Sequence, residues 1–275
     1  MSVAVVLLAG VVAAAQQSGV SEQPRAADRY ARVREISEAV SGKRQASDDE
    51  VYALLLAGMK DPDAFVRSES VGMAANLVMV PFVPQLASRL EWVMARRKVG
   101  ERLWPELDAA ADDPEPRVRT EALRGIAGAF TYGFPTYVLP SQIANRLLEK
   151  FERDPNPGVR SLAVGAFQSA YRSEDPAVRS LGAQVLLKAL DDSDPNIVST
   201  AAHAIPDWRP PQALPLLVKQ LKNPSLRVRM AVAQIIAAYR KDAQPYRPQL
   251  EAALAAETDD LTKKTIAGTL TVIRE

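Results

Sequence analysis

The chain contains no cysteine and a single histidine, His203. Without thiols there is no disulfide framework, no thiolate metal site and no cysteine to carry a bacterial-type N-terminal lipid anchor. One imidazole cannot build a histidine metal shell, and a Ser-His-Asp arrangement would have to use that residue. Glycine is scarce, at 13 of 275 residues, so few backbone sites could cradle a phosphate. No Gly-rich phosphate loop, G-x-S-x-G elbow or H-E-x-x-H zinc motif occurs. Neither sign of charge dominates: 34 Lys and Arg face 33 Asp and Glu, a formal net charge of +1. No global field therefore draws the protein toward nucleic acid or anionic membrane. Aromatic residues make up only 6% of the chain, which makes their local concentrations informative.

What the chain does have is internal repetition. Asp-Pro or Asn-Pro is followed by Val-Arg, with the Arg six residues after the Asp or Asn, at Asp61…Arg67, Asp113…Arg119, Asp154…Arg160 and Asn223…Arg229. Asp194-Pro195…Val198-Ser199 reads as a shortened copy without the Arg. Each pair opens an apolar stripe at helical spacing, such as Ala163, Ala166, Phe167, and each is preceded by another, such as Leu214, Leu217, Val218, Leu221. The pattern predicts helix A, a turn with Asp-Pro, and helix B, with the Asp as helix cap and the Pro in the first turn. Stacked copies would align Asp and Arg as an exposed ladder that sets register. Self-similarity of this kind is the signature of a stacked helical solenoid.

Gln212–Tyr239 shows the unit most cleanly, as QALPLLVKQLKNPSLRVRMAVAQIIAAY. It resembles a HEAT repeat, in the degenerate HEAT-like form also seen in bilin-lyase-type repeats, and the resemblance covers most of Asp49–Leu270. The expected fold class is all-α, an α-α superhelix of the HEAT/armadillo type, helical from Arg25 to Ile273 without β-sheet. Asp175–Leu190 is expected as the A helix before the copy at Asp194. Arg25–Val40 should cap the stack, and helix within Val83–Arg97 and Glu101–Ala111 should fill the long first interval. The basic run Arg96, Arg97, Lys98, Arg102 is assigned to a helix C-terminus, where cations complement the dipole.

Residues Val3–Ala15, VAVVLLAGVVAAA, form an uncharged apolar run ending in Ala13-Ala14-Ala15. The run is too short to span a bilayer but suits the h-region of a signal peptide, although no Lys or Arg precedes it. Domain organisation is accordingly expected as a signal peptide over 1–15, a flexible linker over 16–24 and a helical repeat array over 25–275. The protein is expected to be secreted or periplasmic, with no stable membrane insertion once the signal is removed.

Constellations that could carry chemistry are few. The acidic groups Asp112-Asp113, Asp191-Asp192 with Asp194, and Asp259-Asp260 fall at expected helix caps. Trp92 and Trp104 lie on helical stripes and should be core. Aromatics gather in Thr131–Tyr137, TYGFPTY, a segment stiffened by Gly133 and Pro135, and Trp208 sits at an interhelical turn. Tyr132, Phe134, Tyr137 and Trp208 are the candidate partner-binding residues, because aromatics on stiff loops serve as interface anchors. The expected function is an exported protein-interaction scaffold with a protein partner, no catalytic residues, no cofactor, no metal and no nucleic acid. HEAT-like folds also occur in enzymes, notably bilin lyases and alkyl-purine DNA glycosylases. The first would need a pigment partner. The second would need a basic groove with aromatic and carboxylate residues, which the charge balance and the export signal disfavour.

Overall fold

The computed structural model describes residues 23–79, 90–132 and 138–274. The Val3–Ala15 run and residues 133–137 lie outside them. Among the described residues there are fourteen α-helices and no strand. They are α1 (Gln23–Ser41), α2 (Asp48–Met59), α3 (Ala64–Val78), α4 (Leu90–Arg102), α5 (Trp104–Ala110), α6 (Pro116–Tyr132) and α7 (Pro140–Arg153), followed by α8 (Pro157–Ala166), α9 (Pro176–Ala189), α10 (Pro195–Trp208), α11 (Ala213–Lys219), α12 (Leu226–Ala237), α13 (Arg247–Ala256) and α14 (Asp260–Val272). Short 3₁₀ segments extend α8 (Phe167–Arg172) and α11 (Gln220–Lys222), and a third (Arg240–Tyr246) leads into α13. Gln23 and Pro24, expected as linker, are thus helical.

Helices α1, α3, α6, α8, α10, α12 and α14 stack side by side in one layer, the B layer. The A layer is α2, α4 with α5, α7, α9, α11 and α13. Packing is extensive along the B layer and sparse along the A layer, which curves the stack around the B helices. Small residues permit the close approach. A Cβ on Gly125 of α6 would lie 2.8 Å from that of Ala75 on α3, so any larger residue there would force the helices apart. One apolar core runs from Ile36 to Ile273. Trp104 belongs to it, whereas Trp92 is only half-buried, under the guanidinium of Arg96. Asp175–Leu190 forms an A-layer helix, and α1 caps the B layer, as expected.

The repeated Asp and Arg act differently from the sequence expectation. In the four full copies the Asp or Asn is not the helix cap. Asp61, Asp113, Asp154 and Asn223 sit two residues earlier, and the caps are Asp63, Glu115, Asn156 and Ser225. The earlier residue accepts the N–H of the cap residue at 2.8 Å (Asp61, Asp113) or 2.9 Å (Asp154, Asn223). The Pro therefore lies in the turn and not in the helix. Of the Asp-Pro pairs among the described residues, Asp175-Pro176 and Asp194-Pro195 are the ones whose Asp caps its helix directly, with Pro at the first helical position.

The ladder is also more buried than expected. Arg119 on α6 donates from Nη1 to the carbonyls of Asp113 (2.9 Å) and Pro114 (3.1 Å) of its own turn. Its Nε and Nη2 reach forward to Asp154 of the next turn, at 2.8 and 2.9 Å. Arg67 repeats this on Asp113, at 2.8 and 3.1 Å, and Arg229 on Glu257, at 2.7 and 3.0 Å. Arg32 of α1 pairs with Asp61. The Asp154 side chain is only 2% exposed. These bidentate pairs are buried enough that losing one partner would strand a charge, unlike exposed surface pairs. Burial alone would raise the Asp154 carboxyl, but the Arg119 hydrogen bonds and the Asn156 N–H outweigh it and hold the group below its usual range.

The basic run has a related structural use. Arg96 is in the middle of α4, not at its end. It is buried, pairs with Asp48 at 2.5 Å and donates to the carbonyls of Ala39 and Ala46. Arg102 pairs with Asp49 at 2.7 Å and stacks on Tyr52. Both fasten α4 to α2 and the turn before it.

Candidate interaction surface

Because every B helix is entered from the same side, their C-terminal ends line one edge of the stack. Five contacts tie that edge together from α6 to α12. Phe130 packs edge-on against Phe167, with centroids 5.9 Å apart. Thr131 Oγ1 lies 3.2 Å from Ser169 Oγ. Trp208 Nε1 donates to the Gln168 carbonyl at 3.3 Å, and its ring meets Tyr171 edge-on at 6.1 Å. Tyr239 Oη donates to the Pro210 carbonyl at 3.1 Å. Tyr132 is the last residue of α6, so the segment expected as a loop begins as helix. Phe134 and Tyr137, with the Tyr132 side chain, lie outside the described residues. The two stretches singled out by sequence, residues 131–132 and Trp208, thus fall on the same edge, bridged by Gln168–Tyr171.

Trp208 is held, not free. A Cβ on Gly182 of α9 would lie 2.9 Å from the indole Cη2 and 2.7 Å from the Ala170 Cβ. Glycine at 182 is therefore what lets the ring approach α9 so closely. The indole stays partly accessible and lines a cleft of about 420 Å³ with Arg209, Ala238, Tyr239, Arg240, Lys241 and Asp242, within the ~300–1,000 Å³ range of ligand sites. Burial pushes the Tyr239 hydroxyl up, against the opposing effect of the nearby Arg209, so the phenol stays neutral at physiological pH.

Two residues of the cleft were not singled out from sequence. Arg209 (φ 42°) and Arg240 (φ 49°) are the only non-glycine residues with positive φ among those described. A left-handed conformation costs such a residue roughly 1–2 kcal/mol, and glycine is the usual occupant at a helix C-terminus. Sequence could not have found them, because φ is not legible in an arginine codon by codon. Among the described residues, Arg209, Arg240 and Lys241 form no ion pair, although Asp242 lines the same cleft.

The exposed face of the B layer has a different character. Arg117 pairs with Glu69 at 2.8 Å and covers the Phe65 ring, and Arg124 pairs with Glu121. Farther along come Ser161 and Thr200, hydroxyls 2.8 Å apart, and exposed His203, whose Nδ1 lies 2.6 Å from the Ser199 carbonyl. Charges of both signs are interleaved and satisfied. The acidic groups serve the turns: Asp112 is held by Arg146 and Lys150, Asp191 by Lys219, and Asp259 caps α14. Among the described residues no three His, Cys, Asp or Glu are placed to hold a metal ion, and no helix is long and apolar enough to cross a membrane.

Residues 183–271 match the family described as HEAT repeats. Among curated proteins none matches the sequence. Solved structures with a similar fold include a designed armadillo repeat protein, with a TM-score of 0.51, 18% identity and coverage of 80% of this chain and 98% of that one. The Escherichia coli protein YibA aligns with a TM-score of 0.52 and 16% identity, over 83% of this chain and 69% of that one. A computationally designed armadillo repeat protein for modular peptide recognition aligns with a TM-score of 0.50 and 18% identity, over 79% and 98%. With its paired helical layers, its repeated turn geometry and these matches, the chain is an α-solenoid of the HEAT/armadillo type, similar to the HEAT repeats family over residues 183–271.

Proposed function

We propose that the protein is an exported, non-catalytic interaction scaffold that holds a protein partner along the edge formed by the C-terminal ends of its B helices. The observation that carries this is the edge itself. It joins a partly accessible, firmly seated Trp208 through Tyr171 and Gln168 to the end of α6. Preorganised aromatics of this kind are the usual energetic centres of interfaces. Interleaved, paired charges on the B face support a protein partner over a nucleic acid. Peptide recognition by a designed protein of similar fold is consistent with the same use. The apolar run Val3–Ala15, ending in Ala13-Ala14-Ala15, supports export, which would leave Gln16 as the mature N-terminus.

The test places a photo-crosslinking residue at position 208, at 172 on the same edge, or at exposed Lys222 between the layers, in protein expressed in its native cell. The same partner should be captured from 208 and 172 and not from 222. Equal capture from all three, or none from 208 and 172, would overturn the assignment of the edge. Recovery of the chain with Met1 intact from the cytoplasm would overturn export.

A further inference from the structure

We propose that the cleft between the ends of α10 and α12 takes an acidic, extended segment of the partner. Trp208 would pack on its apolar side chains, and Arg209, Arg240 and Lys241 would engage its carboxylates. This rests on the scaffold reading and names the chemistry of its partner.

Three observations converge on the cleft. The first is charge. Several long cations of the stack are paired: Arg67, Arg119 and Arg229 with carboxylates of the next repeat, Lys188 with Glu152 and Lys219 with Asp191. Here, among the described residues, three neighbouring cations and Asp242 line one cavity, and the cations form no ion pair. A recess with such a surplus is complementary to an anionic ligand.

The second is backbone strain. Both positive-φ arginines fall in this one cleft. If the two turns served only the fold, glycine would fit them better. Keeping a long cation in a conformation that disfavours it points to a use for the side chain. The ends of α10 and α12 present carbonyls, which alone would repel an anion. The guanidiniums reverse the sign of the local field.

The third is the rigid aromatic. Trp208 is seated by Gly182, Gln168 and Tyr171, so little side-chain entropy is lost on binding. A cation cluster around an indole would also suit a single-stranded nucleic acid. Arg172 beside Tyr171 adds one cation to this edge, but along the B face Arg117 and Arg124 are already paired with Glu69 and Glu121. A phosphodiester needs a longer track, so a peptide is favoured.

The experiment uses a fluorescein-labelled octapeptide of alternating Glu and Leu, read by anisotropy. The controls are a Gln-Leu octapeptide, a dT8 oligonucleotide and inorganic phosphate as competitor. The Glu-Leu peptide should bind at least about tenfold more tightly than Gln-Leu, and more weakly as salt rises. The double variant Arg209→Gly/Arg240→Gly should lose at least about tenfold in affinity while its Tm stays level or rises, because glycine relieves the strained φ. Lys241→Gln, which changes no backbone preference, should weaken binding in the same direction. Tighter binding of dT8, or competition by phosphate alone, would overturn the peptide assignment. So would a double variant that loses Tm and keeps its affinity, because the arginines would then serve the helix ends. If Glu-Leu does not bind but position 208 still crosslinks a partner, the scaffold reading stands and the acidic segment falls.

Discussion

Where α6 meets α8, the Arg119 guanidinium is clamped between the carbonyls of its own turn and the Asp154 carboxylate of the next. Where α10 meets α12, the two matching positions hold Val198, fully buried, and Asn223. The cation and its anion are missing together. A buried charge without its mate costs several kcal/mol, so neither is viable alone, and the second joint closes with neutral groups. Asn223 donates to Gln220 at 2.7 Å, and Gln220 donates to the Leu190 carbonyl at 2.8 Å. The joint between them is intermediate. Arg160 bonds the carbonyls of Asp154 and Pro155 but forms no ion pair among the described residues. Asp192, at the matching position, accepts only the Asp194 N–H, at 2.8 Å. Buried charge thus clasps the B layer from α1 to α8 and again at α12 to α14, and the stretch between is held by packing, neutral hydrogen bonds and the exposed pairs Lys188–Glu152 and Lys219–Asp191. The cleft beside Trp208 opens across that unclasped joint.

The largest effect that could break this comparison is at Arg119. Arg119→Ala leaves the Asp154 carboxylate buried and unpaired, and should cost about 3–5 kcal/mol. Urea denaturation measures it, and a loss below about 1 kcal/mol would mean the clasp is ornamental. Next comes pH. The Arg229 hydrogen bonds, then the N–H groups of Thr258 and Asp259, hold the Glu257 carboxyl down at about 2, from 4.5. A depressed acid stabilises the fold above its unfolded pKa, and that contribution fades as pH falls through its folded value. Stability should therefore drop between pH 4.5 and 2 by up to roughly 3 kcal/mol more in the wild type than in Glu257→Gln.

A third variant asks whether the missing rung can be rebuilt. Val198→Arg alone should destabilise, by burying a guanidinium opposite Asn223. Adding Asn223→Asp should return about 1–3 kcal/mol of coupling in a double-mutant cycle. Simple additivity would show that the two positions do not face each other as a pair. The smallest effects lie at the intermediate joint. Val159→Ala should cost about 1–2 kcal/mol, because Val159 is fully buried. Arg160→Ala should cost less than about 1 kcal/mol, because no carboxylate is stranded. Equal losses at 159 and 160 would count against a purely packed joint.

Much of the fold was legible because helices and their pairing follow from local periodicity. The A and B helices, the place of Asp175–Leu190 in the A layer and the buried Val of each copy could be read from apolar spacing. The position of the caps could not. Asp-Pro is compatible with a cap followed by the first helical residue, as at Asp194, and with a turn two residues earlier, as at Asp113. Only the turn hydrogen bonds separate the two. For the same reason the copy at Asp194 looked one residue short. Counted from its cap, Ile197 fills the Val position and Val198 the Arg position, so it is full length with the Pro moved. At the candidate site, Trp208 was legible as a rare aromatic in a turn, whereas Arg209 and Arg240 were two arginines among many.

The sequence by itself determined the repeat, the helical periodicity and the spacing that puts an Arg six residues after each turn Asp, because these depend on neighbours within one unit. Only the tertiary structure decided which carboxylate each Arg reaches, since Arg119 and Asp154 meet through the stacking of separate repeats. It also decided that Trp208, Tyr171 and the end of α6 share one edge, and that two arginines are held at positive φ around one cleft. Those facts depend on how successive helices register against one another and on backbone angles set by packing, and neither is carried by a residue and its near neighbours.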